Sequence, residues 1–283
     1  MTSSSERRSE IVALSEWVAA EHCPGIGKVD PLLILQTKGI TFSFNHYGQF
    51  FDGLLEFRRD RFHVFVNLSR VEARESPRAR FTLGHELGHF FIDDHRNALV
   101  AGASPHPSHC DHESDNPAEI EADLFAAHLL LPGARFSQTV RGSKKGIPAI
   151  LDTSSQFGTS VTSTALRYLE EEFMPCTLLK WNEDGLAWKR FSTSTYNAGF
   201  RTTISRLEQV PRGSATHLAM SGREAPGSGC FQVGSAASAW FPFVHPGDAK
   251  DALLIEQAVS LGRYGVLTIL YPESLTYAPR RFA

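Results

Sequence analysis

Apolar residues first recur at helical spacing at Ile11, Leu14, Trp17 and Val18, in a segment that Pro24-Gly25 closes. This pattern predicts a packing helix behind a polar leader, Met1 to Glu10. The spacing then shortens to β-type runs, Gly39-Ile40-Thr41-Phe42-Ser43-Phe44 and Gly53-Leu54-Leu55-Glu56-Phe57. Phe62-His63-Val64-Phe65-Val66-Asn67 returns after the polar turn Arg58 to Arg61, and the three runs predict a small antiparallel sheet. Ser76-Pro77 offers a helix N-cap and a proline for the first helical position, so one helix is predicted from Arg78 to Phe91. A second helix is predicted after Asn116-Pro117, running through Ile120, Leu124, Ala127 and Leu131 until Pro132-Gly133 stops it. Ile147 to Phe173 reads as helical again, with a turn near Gly158-Thr159-Ser160.

Beyond Pro175 the texture changes to short β-type runs, Cys176 to Trp181, Leu186 to Phe191 and Val266 to Leu270, separated by Gly and Asp clusters. Together with the Gly222 to Gly229 break, this predicts a separate β-rich C-terminal domain. Ala101 to Asn116, rich in Gly, Pro, Ser, His and Asp, predicts a long surface loop. The expected class is α+β, divided into residues 1–137, a helix-turn-helix-like segment 138–174 and the β-rich domain 175–283.

A chain of 283 residues with 42% hydrophobic content can bury a core without metal or disulfide staples. A net charge of -3 gives no global bias toward nucleic acid or membrane. The four cysteines, Cys23, Cys110, Cys176 and Cys230, include no C-x-x-C pair and fit a reducing compartment. Met1 to Glu10 lacks an apolar signal region, and no run approaches the roughly 18 apolar residues of a membrane span. A cytoplasmic location is therefore expected.

The candidate chemistry lies in His85-Glu86-Leu87-Gly88-His89. Residues four apart share a helix face, so His85 and His89 can both present an imidazole to one ion while Glu86 stands beside it as a base. A catalytic zinc takes three protein ligands and keeps a position for water, so a further donor is needed. Glu119-Ile120-Glu121-Ala122-Asp123 supplies it: Glu119 and Asp123 share a face, whereas the helical repeat turns Glu121 away from Asp123. Glu119 is assigned as the third ligand, and Asp123 as the acceptor that fixes the tautomer of one ligating histidine. The alternative, a solvated polar face, fits poorly with the apolar neighbours Phe81, Leu83, Leu87, Phe90 and Phe91, among which buried polar groups need partners.

Two stretches carry a wider pattern, from Arg80 to His89 and from Glu119 through Leu124-Phe125-Ala126-Ala127-His128-Leu129-Leu130-Leu131 to Pro132. Together they resemble the ImmA/IrrE family of zinc metallopeptidases. The likeness extends over roughly residues 9 to 172, including Phe157 to Leu169. It implies a minimal thermolysin-like, zincin-type core, zinc on His85, His89 and Glu119, and Glu86 as general base. It also implies a regulatory endopeptidase whose partner is a helix-turn-helix transcriptional repressor. Asp123 stands where the family commonly has Asn, and the loop holding His106, His109 and His112 is longer than usual for it. The C-terminal part is reminiscent of the β-containing, sensor-like appendages of some members.

Several readings stay open at this level. Arg167, Tyr168 and His128 are candidate donors to a tetrahedral oxyanion. The strand Phe62 to Asn67 is either an edge that an extended peptide could join or an ordinary interior strand. Ile147 to Leu169 could make the protein a DNA-binding regulator, although Arg167 is followed by the acidic run Glu170-Glu171-Glu172. A non-proteolytic zinc-containing sensor is the remaining class, and the intact Glu86 argues against it. His106, His109, Cys110 and His112 form either a second metal site or a histidine-rich loop, the loop being favoured. Arg58, Arg59, Arg61, Arg70, Arg74, Arg78 and Arg80 are interleaved with acids and read as a solvated face. Trp240 and Phe241 belong either to a ligand pocket or to a core.

Overall fold

The computed structural model describes residues 4–25, 27–105, 107–108, 115–197, 206, 209–227, 229–241 and 253–273. His106, His109, Cys110 and His112 lie outside these residues. The chain is of the α+β class. It divides into two compact units, residues 1–139 with 153–160, and residues 140–152 with 161–283. No helix among the described residues is long and apolar enough to cross a membrane.

In the first unit, helix α1 (Ser4–His22) already includes most of the polar leader and buries Ile11, Val18 and Ala19. Helix α2 (Pro31–Thr37) is opened by Asp30, whose carboxylate accepts from the Leu32 N–H. Strands β1 (Thr41–Asn45), β2 (Gly53–Arg58) and β3 (Arg61–Asn67) form one sheet in the order β1-β3-β2. β2 and β3 make the expected antiparallel hairpin, through a turn in which Arg59 and Asp60 both have positive φ, 51° and 59°. β1, however, runs parallel to β3, so the sheet is mixed rather than antiparallel. The Asn67 side chain explains the crossing. Its carbonyl accepts from the Tyr47 N–H while its amide donates to the Gly48 and Phe51 carbonyls, holding the connection around the end of β3. β3 is consequently interior, and the open edge near the site belongs to β2.

A short helix α3 (Leu68–Val71) leads to α4 (Pro77–Phe91), where Ser76 Oγ caps the Ala79 N–H and Pro77 occupies the first turn. Leu83 and Leu87 of α4 join Leu55, Val64, Val66, Phe125 and Leu129 in the core. Full burial of each such leucine contributes about 1.5–3 kcal/mol. Helix α5 (Asp93–Val100) begins directly beyond Ile92, and α6 (Pro117–Leu130) is capped by Asn116, which accepts from the Ala118 N–H. Helix α7 (Gly133–Arg141) follows, and α8 (Ile147–Phe157) runs through the division between the units.

The arginines near α4 are only partly a solvated face. Arg70 and Arg78 both bind the fully buried carboxylate of Asp52, at 2.8 and 2.6 Å. Arg80 is itself buried, donating to the carbonyls of Val29, Phe157 and Gly158. Burial lowers its pKa, with Asp30 opposing, yet an arginine stays charged, so these carbonyls carry the burden of solvating it.

The second unit holds helix α9 (Val161–Glu170) and strands β4 (Thr177–Asn182), β5 (Gly185–Phe191), β6 (Phe231–Ala236), β7 (Leu253–Ser260) and β8 (Val266–Pro272). Each neighbouring pair in the order β5-β4-β8-β7-β6 is antiparallel. Trp240 and Phe241 are core residues here, packed with Trp181, Phe231 and Leu270. Glu256 is buried within this unit and accepts from the Thr216 N–H and hydroxyl, the Ser235 hydroxyl and the Trp240 indole. Four donors to one carboxylate offset the cost of removing it from water.

Candidate active site

Helices α4 and α6 approach each other over small residues. A Cβ placed on Gly88 would lie 3.0 Å from the Ala122 Cα and 3.3 Å from its Cβ, and one on Gly84 would lie 3.3 Å from the Ala126 Cβ. The close crossing lets the short carboxylate arms of α6 reach the imidazoles of α4. His85 and His89 bring their Nε2 atoms to 3.1 Å, and Glu119 places one oxygen 3.1 Å from His85 Nε2 and the other 3.3 Å from His89 Nε2. These three residues could hold a metal ion, since their ligand atoms all lie within 4.8 Å of one another.

The donor set suits zinc. Bonds of about 2.0–2.1 Å at tetrahedral angles would put two nitrogens roughly 3.3 Å apart. Apart from His89 Nε2 at 3.3 Å, the buried Glu119 Oε1 has no hydrogen-bond partner, so it keeps a lone pair for a cation. Each imidazole is also held from behind. His85 Nδ1 is 2.8 Å from Asp123 Oδ1 and His89 Nδ1 is 3.2 Å from His95 Nδ1. With Nδ1 protonated on both rings, both Nε2 lone pairs face the same point.

Glu86 is fully enclosed beside this triad. Its Oε1 accepts from the Ser108 hydroxyl at 2.6 Å, while the buried Oε2 has no hydrogen-bond partner. Burial raises its pKa, with His85, His89 and Ser108 opposing. Gly53 borders the same carboxylate so closely that a Cβ there would stand 2.5 Å from Glu86 Oε1, which excludes any side chain at the start of β2. Ser108 is fixed to that strand by backbone bonds, its carbonyl accepting from the Asp52 N–H and its N–H donating to the Gly53 carbonyl. A cavity of about 140 Å³ opens beside Glu86 and His89, walled mainly by Leu55, Ala98, Leu99, Ala103 and Ala118.

In the metal-free protein the site's appetite for a cation falls on His85. Burial alone would lower its pKa, but hydrogen bonds to Asp123 and Glu119 outweigh it and raise it to about 10. The Glu119 carboxyl is correspondingly held far below the usual carboxylate range: burial raises it, and the two histidines more than reverse that. These shifts describe one interaction from its two ends. A raised histidine pKa contributes stability that is complete below 6.5 and disappears as pH rises through about 10. The lowered Glu119 pKa contributes stability present above about 4.5 and lost on acidification. Thermal melts of chelator-treated protein are therefore expected to show the highest Tm between those limits, with a decline toward pH 10 that His85→Asn abolishes.

The sequence-derived residues divide clearly by place. His85, Glu86, His89, Glu119 and Asp123 converge. His128 is buried on α6 but lies nine residues beyond Glu119, roughly half a turn around the helix. Arg167 and Tyr168 fall in the other compact unit, where Arg167 pairs with Glu170 and Glu171 and the Tyr168 hydroxyl accepts from the Gly146 N–H. Sequence reasoning missed His95, Ser108 and Arg7. His95 follows the bend at Ile92, Ser108 belongs to a loop, and Arg7 lies in the polar leader, so no helical or strand period marks any of them.

Residues 39–167 match the Peptidase_M78 family, described as the IrrE N-terminal-like domain. That match supports an ImmA/IrrE family assignment for this stretch and suggests peptidase activity. Among curated protein sequences, none matches significantly. A solved structure described as a Mycobacterium tuberculosis transcriptional regulator is similar over 95% of this chain and 90% of its own, with a TM-score of 0.57 and 15% identity. At that identity the likeness concerns the fold alone.

Proposed function

We propose that this protein is a zinc-dependent endopeptidase that cleaves a protein partner, such as a helix-turn-helix transcriptional repressor. The observation that carries this reading is the convergence of His85 Nε2, His89 Nε2 and the Glu119 carboxylate beside the unpartnered Oε2 of Glu86. A purely structural metal site has no use for such a base. Two helices that each bring ligands to one point, as a minimal zincin-type core would have, support the same assignment, as does the match to the peptidase family.

Bound by this triad, zinc would supply a Lewis acid that acidifies a water molecule and polarises a scissile carbonyl. Asp123 holds the His85 imidazole in the tautomer that ligation requires. Glu86 takes the water's proton at Oε2 and delivers it to the leaving nitrogen, while Ser108 fixes Oε1 and with it the direction of the carboxylate. The raised pKa of Glu86 brings its basicity closer to neutral pH, where a proton can be both accepted and returned. The β-rich C-terminal unit is proposed as a sensory module. Arg167, the one Lys or Arg between Ile147 and Leu169, is engaged by Glu170 and Glu171, which argues against a phosphate-binding role.

Metal analysis combined with a cleavage assay tests the reading. Purified protein is expected to carry about one zinc per chain, lost in His85→Ala, His89→Ala and Glu119→Ala. It is expected to cut a helix-turn-helix regulator from the same cell into discrete fragments, in a reaction abolished by a chelator and restored by zinc. Zinc retained in Glu119→Ala would overturn the ligand assignment. Full zinc content with no cleavage of any regulator would favour a zinc-containing sensor.

A further inference from the structure

The histidine that sequence reasoning overlooked stands in a continuous polar chain. Glu121 lies on α6 between the two carboxylates that face the histidines, but it points elsewhere. Its two oxygens accept a bidentate pair from Arg7 of α1, Nε at 2.9 Å and Nη2 at 2.7 Å. One of those oxygens also lies 3.2 Å from His95 Nε2, and His95 Nδ1 lies 3.2 Å from His89 Nδ1. Directions of donation follow from what each group can do. An ionised Glu121 only accepts, so His95 Nε2 is the donor to it. A neutral His95 then has a lone pair on Nδ1, which can only accept from His89 Nδ1–H. In the neutral tautomer that metal ligation requires, His89 Nε2 then carries the lone pair and is aimed at His85 Nε2 and Glu119.

We propose that His95 is a positioning residue for the metal: it accepts the Nδ1 proton of His89, and Glu121, itself clamped by Arg7, fixes the orientation of the His95 ring. The inference rests on the metallopeptidase reading above. It gives His89 the partner that Asp123 gives His85, so each histidine ligand is braced from a different part of the unit. The brace on His89 is a neutral imidazole rather than a carboxylate. It fixes the ring without placing a second negative charge directly behind the ion. The chain also accounts for Glu121, which holds the ligand shell in place through another residue.

Zinc affinity measured by competition with a chromophoric chelator separates hydrogen bonding from packing, because the His89 and His95 rings also pack, with centroids 5.1 Å apart. His95→Phe keeps an aromatic ring and removes both nitrogens; it is expected to weaken zinc binding roughly 10 to 100-fold while the metal-free Tm changes little. His95→Asn removes the ring but keeps an acceptor near the Nδ1 position, and is expected to restore affinity to within about threefold of wild type. With cobalt(II) as a probe, the visible ligand-field bands should shift in His95→Phe and return in His95→Asn. Unchanged affinity in His95→Phe, or an asparagine variant as weak as the phenylalanine one, would overturn the assignment while the metallopeptidase reading stands. A wild-type chain that takes up no zinc overturns both.

Discussion

The Glu86→Gln variant is expected to fold, to take up zinc as the wild type does, and to cleave its partner more slowly by a factor of roughly 10² to 10⁴. Glutamine keeps the size of the side chain and an oxygen that can accept from the Ser108 hydroxyl, so the geometry around β2 survives. What disappears is the capacity of Oε2 to take and return a proton. The substitution also removes a buried negative charge that burial already disfavours, so Tm should be unchanged or slightly higher. Side-by-side zinc analysis, thermal melts and cleavage time courses check all three parts. Equal cleavage rates would remove Glu86 from the chemistry, whereas lost zinc would make it part of the ligand shell.

Gly88→Val should instead remove metal binding and much of the stability together. Gly88 has no room for a side chain because its neighbour across the crossing is backbone, the Ala122 Cα at 3.0 Å, and backbone cannot rotate aside. The added carbons force α4 and α6 apart. Overpacking of this kind costs about 1–3 kcal/mol, and any widening separates Glu119 from His85 and His89. Gly88→Ala should be milder, since a helix-interior alanine gains up to about 1 kcal/mol over glycine and offsets part of the clash. Gly84→Ala should be milder still, as its nearest atom is the Ala126 Cβ at 3.3 Å. Zinc content and Tm should therefore be lowest in Gly88→Val, higher in Gly88→Ala and highest in Gly84→Ala. A Gly88→Val protein with full zinc content would show that the crossing does not set the ligand distances.

The parts of this arrangement that were legible in the sequence are those with local causes. Ser76-Pro77 and Asn116-Pro117 mark the starts of the two site helices, and the four-residue spacing of His85 with His89, and of Glu119 with Asp123, places each pair on one face. Strands β4, β5 and β8 of the second unit were likewise marked by their own composition, whereas β6 was not. The parallel pairing of β1 was not, because it depends on the Asn67 side chain gathering a distant connection. Helix α5 lacks an apolar period and directly follows the bend at Ile92, so nothing local ties His95 to His89. Arg80 looked like its exposed neighbours, since its carbonyl partners come from residues 29, 157 and 158. Long-range polar contacts of this kind leave no periodic trace in a chain.

Ser108 has a bearing on colloidal behaviour as well. A sheet edge with free N–H and carbonyl groups is a template on which another chain can assemble, and the edge strand β2 begins beside a hollow lined by apolar side chains. Ser108 satisfies that edge at its buried end with a backbone bridge, and Arg58, with Arg59 of the turn and Arg61 at the start of β3, places positive charge at the other. One end is capped and the other repels its own copies. The β2 edge is thereby protected against sheet-to-sheet aggregation by the same serine that steadies Glu86.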